Sequence, residues 1–460
     1  METSNHQLAH VIVIPYPSQG HINPLLQFAK RLAAKGVRAT LATTANTMQS
    51  IHASAAVAVA PISDGFDGTD FAKAGKQGDY LTSIRDHGSK SLAKLLHSYK
   101  SAGSPVTCVI YDAFFPWALD VAHRHGAMAA AFFTNSAAVC AIFSHICGGT
   151  ITLPVNVHHD APLILPGLPP LNACDVPTFI RNPSSYPAYL AMKLSQFSNL
   201  QNADFVFANT FHQLERQEVK SAEKNWPAKL VGPMVPSAYL DGRIEGDKGY
   251  GASLWKPLSE QCAAWLNTKP RESVIYVSFG SMVSLTSKQM EEMAWAVKSS
   301  ASYFLWVVRE TEREKLPAGF AESVKGKGLI VSWCNQLEML AHPAIGCFVT
   351  HCGWNSTLEG LALGVPMVAL PQWSDQVTDA KFIEEIWGVG VRAKEDEFGV
   401  AGREELLYCF KEVMEGESRV KMRSNARKWR ELAIEATDEG GTSDTAINEF
   451  VMKLKIAVQN

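Results

Sequence analysis

His351, Cys352, Gly353, Trp354, Asn355 and Ser356 stand in a row between a strand-like apolar run, Gly346–Thr350, and a helix-like run from about Trp354 to Leu363. A strand that feeds a small-residue loop opening a helix is a ready anion site. Unpaired backbone N–H groups and the helix dipole both face the bound charge. The loop adds an imidazole and further hydrogen-bonding side chains. Glu359 follows one turn after Asn355 on the same face, where a carboxylate can accept from two vicinal hydroxyls of a ribose. Upstream, Trp333 and Gln336, with Cys334 between them, offer a stacking surface and an amide for a base. Downstream, Trp373, Asp375 and Gln376 follow a second strand-like run, Val365–Leu370, where hydrogen bonds can grip a sugar ring. In chain order these groups serve base, phosphate, ribose and sugar, which is a nucleotide-sugar site on one segment.

A second pair lies far upstream. His10–Pro15 reads as a buried parallel strand from its β-branched content. The loop Tyr16–Ile22 follows, carrying Gly20 and His21. Asn23 is expected as the N-cap of the next helix and Pro24 as its first residue. Gly36 ends that helix, and Val37–Thr43 returns as a strand. This β-loop-α-β opening belongs to a doubly wound sheet, which puts His21 at a carboxyl strand end, where such folds bind ligands. A lone His there reads more readily as a surface or capping residue. Val106–Tyr111 is another buried strand, and it ends at Asp112. The two side chains can therefore reach one crevice. An Asp on one ring nitrogen fixes the tautomer and leaves the other nitrogen as a base.

The remaining elements must hold these groups in place. Phe66–Tyr99 reads as polar loop then helix, and Ala129–Phe133 as a strand. Thr134-Asn135-Ser136 opens a helix running to Cys147, on which His145 is either an acceptor contact or a satisfied core residue. Leu163–Pro177, rich in proline and apolar residues, reads as a loop over an acceptor mouth. His158-His159-Asp160 has the composition of a metal motif, but adjacent His side chains diverge and no other ligands accompany them. Later, Ser273–Phe279, Gly280-Ser281 and Thr286–Ala296 repeat the strand, glycine turn, helix order, with Ser281 placed to bond a phosphate. Gly328–Ser332 delivers Trp333 at its carboxyl end.

The chain has 460 residues, enough for two domains. The expected division is an acceptor domain over 1–232, a linker and mobile loop over 233–255, a donor domain over 256–440 and a closing helix over 441–460. Hydrophobic content of 47%, 19% charged residues and a net charge of −3 fit a soluble protein and give no sign of nucleic acid binding. No apolar run approaches a membrane span. Nine scattered cysteines point to reduced thiols in a cytoplasmic protein. Asn355-Ser356-Thr357 forms a glycosylation sequon only formally, inside a phosphate loop.

The segment from Trp333 to Gln376 resembles the signature box of the plant family 1 UDP-glycosyltransferases, in the pattern HCGWNS…E…G.P…P.W.DQ. The likeness extends over essentially the whole chain, and its details resemble the subgroup of salicylate and other small-acid glucosyltransferases. The resemblance implies two Rossmann-like domains facing across a cleft, the GT-B fold. It also implies inverting transfer of glucose from UDP-glucose to a hydroxyl or carboxyl oxygen of a small lipophilic metabolite. The PSQGH and YD motifs match the family's catalytic His and its partner Asp at His21 and Asp112. Gly20, Phe114, Asn135, His145 and Phe179 fall where acceptor contacts are expected. The closing Gln376 goes with glucose more often than galactose. No metal, no cofactor beyond the UDP-glucose co-substrate, and a monomer are expected. An inactive UDP-sugar binder and a nucleotide-sugar epimerase on the same scaffold are the alternatives.

Overall fold

A computed structural model describes residues 8–51, 56–66, 77–155, 161–253 and 255–459. The chain divides into two compact units. The first comprises residues 1–173, 179–254 and 435–460, and the second residues 174–178 and 255–434. The His158-His159-Asp160 motif lies outside the described residues.

The first unit holds seven strands: β1 (His10–Ile14), β2 (Arg38–Thr43), β3 (Val57–Pro61), β4 (Cys108–Asp112), β5 (Met128–Phe133), β6 (Phe205–Ala208) and β7 (Lys229–Leu230). They form one parallel sheet in the order β3-β2-β1-β4-β5-β6-β7. Successive residues of a strand point to opposite faces, so each strand feeds two cores. Ile12, Ile14, Val109 and Tyr111 fill one face, while Val11, Val13, Cys108 and Ile110 fill the other. That double burial explains the unbroken apolar runs of β1 and β4.

The second unit repeats the plan with β8 (Val274–Ser278), β9 (Tyr303–Val307), β10 (Gly328–Val331), β11 (Ile345–Thr350), β12 (Met367–Ala369) and β13 (Gly390–Arg392). Their parallel order is β10-β9-β8-β11-β12-β13. In both sheets the order reverses once, between β1 and β4 and between β8 and β11. Crevices for ligands open at such reversal points, beyond the carboxyl strand ends.

Three expectations change. The first helix runs Gln19–Ala34 with Pro24 inside it, not at its start. The His21 and Ile22 amides both bond the Ser18 carbonyl, which closes the first turn ahead of the proline. His21 is thus a helical residue. The stretch read as linker and mobile loop differs more. Through residue 254 it belongs to the first unit. Asp247 is buried and accepts from Gln27 Nε2 at 2.6 Å, Lys30 Nζ at 2.9 Å and the Ser237 amide at 2.7 Å. Its acids pair with cations buried on the first helix, so a polar sequence without period is nonetheless fixed. Finally, residues 174–178 leave the first unit for the second, and the second unit stops at Ile434, inside the helix Arg419–Thr437.

The last helix, Thr442–Gln459, completes the first unit. Phe450 lies 4.9 Å from the Phe207 ring and 6.3 Å from Phe28. Lys35 Nζ bonds Asp444 at 2.5 Å. Burying a phenylalanine fully is worth about 1.5–3 kcal/mol, so this helix is part of the core. Among the described residues no helix is long and apolar enough to cross a membrane.

Candidate active site

At the reversal point of the first sheet, β4 ends on Asp112 and the helix after β1 presents His21. Their Nδ1 and Oδ2 atoms are 2.6 Å apart. Asp112 is 1% exposed and has little freedom. Oδ2 also accepts the Tyr16 amide at 3.2 Å, and Oδ1 accepts the Phe114 amide at 3.0 Å. Two backbone donors hold the carboxylate in a fixed orientation. An imidazole that donates to this carboxylate from Nδ1 has an unprotonated Nε2, free to accept a hydrogen bond. Thr134 Oγ1, just beyond β5, stands 3.1 Å from the same Nδ1. The Phe114 ring lies 4.7 Å from the imidazole.

The expected acceptor residues divide. Gly20 is exposed on the first helical turn beside His21. Phe114 and Asn135 sit close to the His21 group. Ser136 caps the helix Ala137–Cys147 through the Val139 amide and so fixes where Asn135 leaves the strand. His145 lies on the last turn, about 12 Å along the axis from the helix start. Burial lowers its pKa, and its Nε2 has no hydrogen-bond partner. Phe179 is 2% exposed and stacks on Tyr189 at 5.3 Å, so its ring is core.

Lys193, on the helix Pro187–Ser195, was not anticipated. Its Nζ donates to Asn135 Oδ1 at 2.8 Å and lies 5.0 Å from the Phe114 ring centroid. A single lysine within the apolar run Tyr189–Leu194 was the available signal.

In the second unit, the loop after β8 and the loop after β11 meet at the reversal point. Gly280, at φ +66°, and Gly353 flank His351. A Cβ on Gly280 would come 2.9 Å from the imidazole Cε1, and one on Gly353 would come 2.5 Å from Nε2. Burial pushes the His351 imidazole down to about 4, against the opposing pull of Asp375. It is therefore a neutral hydrogen-bonding group, not a cation. Its Nδ1 is buried without a partner. The helix Trp354–Leu363 begins directly after Gly353 and points its N-terminus at this loop. Trp354 is 3% exposed and its ring lies 6.1 Å from that of Trp387, so the ring is buried. Cys334 is likewise buried, with its thiol 3.6 Å from the Tyr276 hydroxyl.

Gln336 links three positions. Its Nε2 donates to Ser356 Oγ at 2.9 Å and to Glu359 Oε2 at 2.8 Å, and its Oε1 accepts from the Tyr276 hydroxyl at 3.4 Å. Trp333 packs 4.6 Å from Trp255, a partner hidden in the stretch read as linker. Arg309 grips the Ser281 and Val283 carbonyls and so sets the loop that carries Ser281. Past β12, Gln376 Oε1 accepts the Gln372 and Trp373 amides at 3.0 and 3.2 Å, and Asp375 Oδ1 accepts from Ser374 Oγ at 2.7 Å. This loop is pinned by residues 174–178. The Ser374 amide donates to Thr178 Oγ1 at 2.8 Å, and Thr378 Oγ1 donates to the Asp175 carbonyl at 2.6 Å. Asp175 itself pairs with Arg392 at 2.8 Å and Lys381 at 3.3 Å. Among the described residues no group of three His, Cys, Asp or Glu side chains could hold a metal ion.

Two Rossmann-like sheets, one with a His–Asp pair and one with a phosphate-type loop at its reversal point, define a nucleotide-dependent transferase scaffold. The family described as UDP-glucoronosyl and UDP-glucosyl transferase matches residues 197–429, and a glycosyltransferase N-terminal domain matches residues 7–59. The chain is 50% identical over 461 residues to UDP-glycosyltransferase 74B1 of Arabidopsis thaliana, covering 98% of this chain and 99% of that one. It is 48% identical over 455 residues to the flavonol 7-O-beta-glucosyltransferase UGT74F1 of the same plant, covering 97% and 98%. The crystal structure of Os79 from O. sativa in complex with UDP is similar with a TM-score of 0.92 at 40% identity, over 96% of this chain and 100% of that one. The chain belongs to the plant family 1 UDP-glycosyltransferases and has their GT-B fold.

Proposed function

We propose that this enzyme transfers glucose from UDP-glucose, with inversion, to an oxygen of a small lipophilic plant metabolite, with His21 as general base. The carrying observation is the 2.6 Å contact between His21 and an Asp112 locked by two backbone amides. His21 Nε2 takes the proton of the acceptor hydroxyl as that oxygen attacks the anomeric carbon. The bond from that carbon to the UDP oxygen breaks on the opposite face, and UDP leaves with the electron pair. Asp112 stabilises the imidazolium that forms. A base so placed contributes typically ~10²–10⁴-fold in rate.

In this reading the second unit holds the donor. Trp333 and Gln336 face the base, and Glu359 the ribose. His351 Nδ1, Ser281, Asn355, Ser356 and the helix N-terminus at Gly353-Trp354 hold the diphosphate, and these groups stabilise the leaving charge without a metal. Asp375 and the amide nitrogen of Gln376 hold the glucose, since the Gln376 oxygen is committed to its own loop. The relative named a flavonol glucosyltransferase supports an aromatic hydroxyl acceptor.

The test is UDP release from UDP-glucose against a panel of phenols, carboxylic acids and terpenoid alcohols, with mass detection of the conjugate. A hexose adduct is expected. UDP binding without release would instead favour an inactive binder, and isomerised UDP-sugar would favour an epimerase.

A further inference from the structure

We infer that Lys193 recognises an anionic group on the acceptor, at a point separate from the oxygen that receives the sugar. The ligand class is a small hydroxylated acid, such as an aromatic acid with a ring hydroxyl. The product keeps its carboxylate free. The inference rests on the reading of His21 as the base of a transferase.

Lys193 is 5% exposed, yet among the described residues no carboxylate forms an ion pair with it. Its recorded partners are a neutral amide oxygen, Asn135 Oδ1, and the face of Phe114. Buried charges are ordinarily paired, because desolvation penalises an unpaired ion by several kcal/mol. An ammonium has three donors, and one amide oxygen uses one of them. The placement of the group gives the deficit a purpose. Phe114 touches both the His21 imidazole and the Lys193 ammonium. Asn135, which holds the ammonium, directly follows Thr134, which lies against His21 Nδ1. A flat acceptor resting against Phe114 therefore spans from the base to the cation. Its hydroxyl meets His21 Nε2 while its carboxylate completes the Lys193 shell. Asp112 is committed to His21, Tyr16 and Phe114, so it does not satisfy Lys193 in the acceptor's place.

The experiment compares 4-hydroxybenzoate with its neutral methyl ester, on the wild-type chain and on Lys193→Met, which keeps the length and removes the charge. Equilibrium binding to the UDP-loaded enzyme is measured first, then kcat and KM. Loss of the charge should weaken binding of the acid about 10–100-fold, mainly as a rise in KM, and change the ester less than about threefold. Lys193→Arg should restore part of the acid's affinity. The wild-type product from the acid should be an alkali-stable glucoside. Equal losses for acid and ester, or no loss for either, would overturn the inference, as would an alkali-labile glucose ester. UDP affinity and Tm of each variant report on folding. Selective binding of the acid without UDP release would sink the transferase reading and leave the Lys193 assignment standing.

Discussion

His21 Nδ1 and Asp112 Oδ2 meet at 2.6 Å although 91 residues separate them in the chain. The adjacency of β1 and β4 in the sheet brings them together. Both oxygens of Asp112 are already claimed by backbone donors, Oδ1 by Phe114 and Oδ2 by Tyr16. Asp112→Asn therefore cannot be silent. Whichever way the amide turns, its NH2 faces an N–H. We expect kcat to fall by about 10²–10⁴ and the KM for UDP-glucose to stay within twofold or so. Steady-state UDP release measures this, and an unchanged kcat would remove Asp112 from the mechanism.

His21→Ala should divide acceptors by their acidity. A carboxylic acid is ionised near neutral pH and needs no base, whereas an aliphatic alcohol does. Where the enzyme takes both kinds, ester formation should persist and transfer to the alcohol should disappear. Equal losses beyond a hundredfold would mean that His21 does not act chiefly as a base.

Gly353→Ala tests the proposed diphosphate role of the loop after β11 without replacing any of its functional side chains. The new methyl would stand 2.5 Å from His351 Nε2, on a ring that Gly280 also approaches so closely that a Cβ there would lie 2.9 Å from Cε1. The imidazole has to move. Overpacking of this kind costs about 1–3 kcal/mol. Calorimetry should show UDP binding weakened at least tenfold or so, with a fall in Tm of a few degrees. Unaltered UDP affinity would mean that His351 is not near the diphosphate.

The stability of the first unit should depend on pH through two acids on one helix. Burial pushes Glu215 up to about 7, and burial reinforced by the Glu215 charge pushes Glu218 up to about 8. Folded, these groups hold protons that the unfolded chain releases near its ordinary carboxyl value. Their stabilising contribution is full below pH ~4.5 and is lost as pH rises through about 7 to 8. Glu215→Gln with Glu218→Gln keeps the oxygen that accepts the Ala138 amide and removes the proton equilibrium. Tm of the double variant relative to wild type should rise steadily from pH 5 to pH 8.5. A constant difference would contradict the assignment.

Much of this was legible beforehand, for identifiable reasons. The buried strands β1, β4, β8 and β11 announce themselves because both faces are apolar. The helix Trp354–Leu363 begins and ends where its pattern says. Strand ends allowed His21 and Asp112 to reach one crevice, and the family motifs were needed to read them as a pair. Other features depend on partners far away in sequence. Asp247 looks like loop polarity until Gln27 and Lys30 are seen beside it. Trp255 gives no pattern until Trp333 covers it. Asp175 reads as part of a proline-rich loop, and only Arg392 and Lys381 show why it is fixed. Pro24 misplaced the first helix because proline usually opens helices, whereas here the Ser18 carbonyl closes the turn ahead of it.

The place of Phe450 has a consequence for how the chain comes off the ribosome. The first sheet is made early, but the face carrying Phe28, Phe205 and Phe207 stays open until the helix Thr442–Gln459 exists. Residues 255–434 of the second unit are synthesised in between, which takes roughly ten to forty seconds at ordinary elongation rates. During that interval the first unit exposes an aromatic surface, while the second already has every strand of its own sheet. The half that is translated first is thus the half that is finished last.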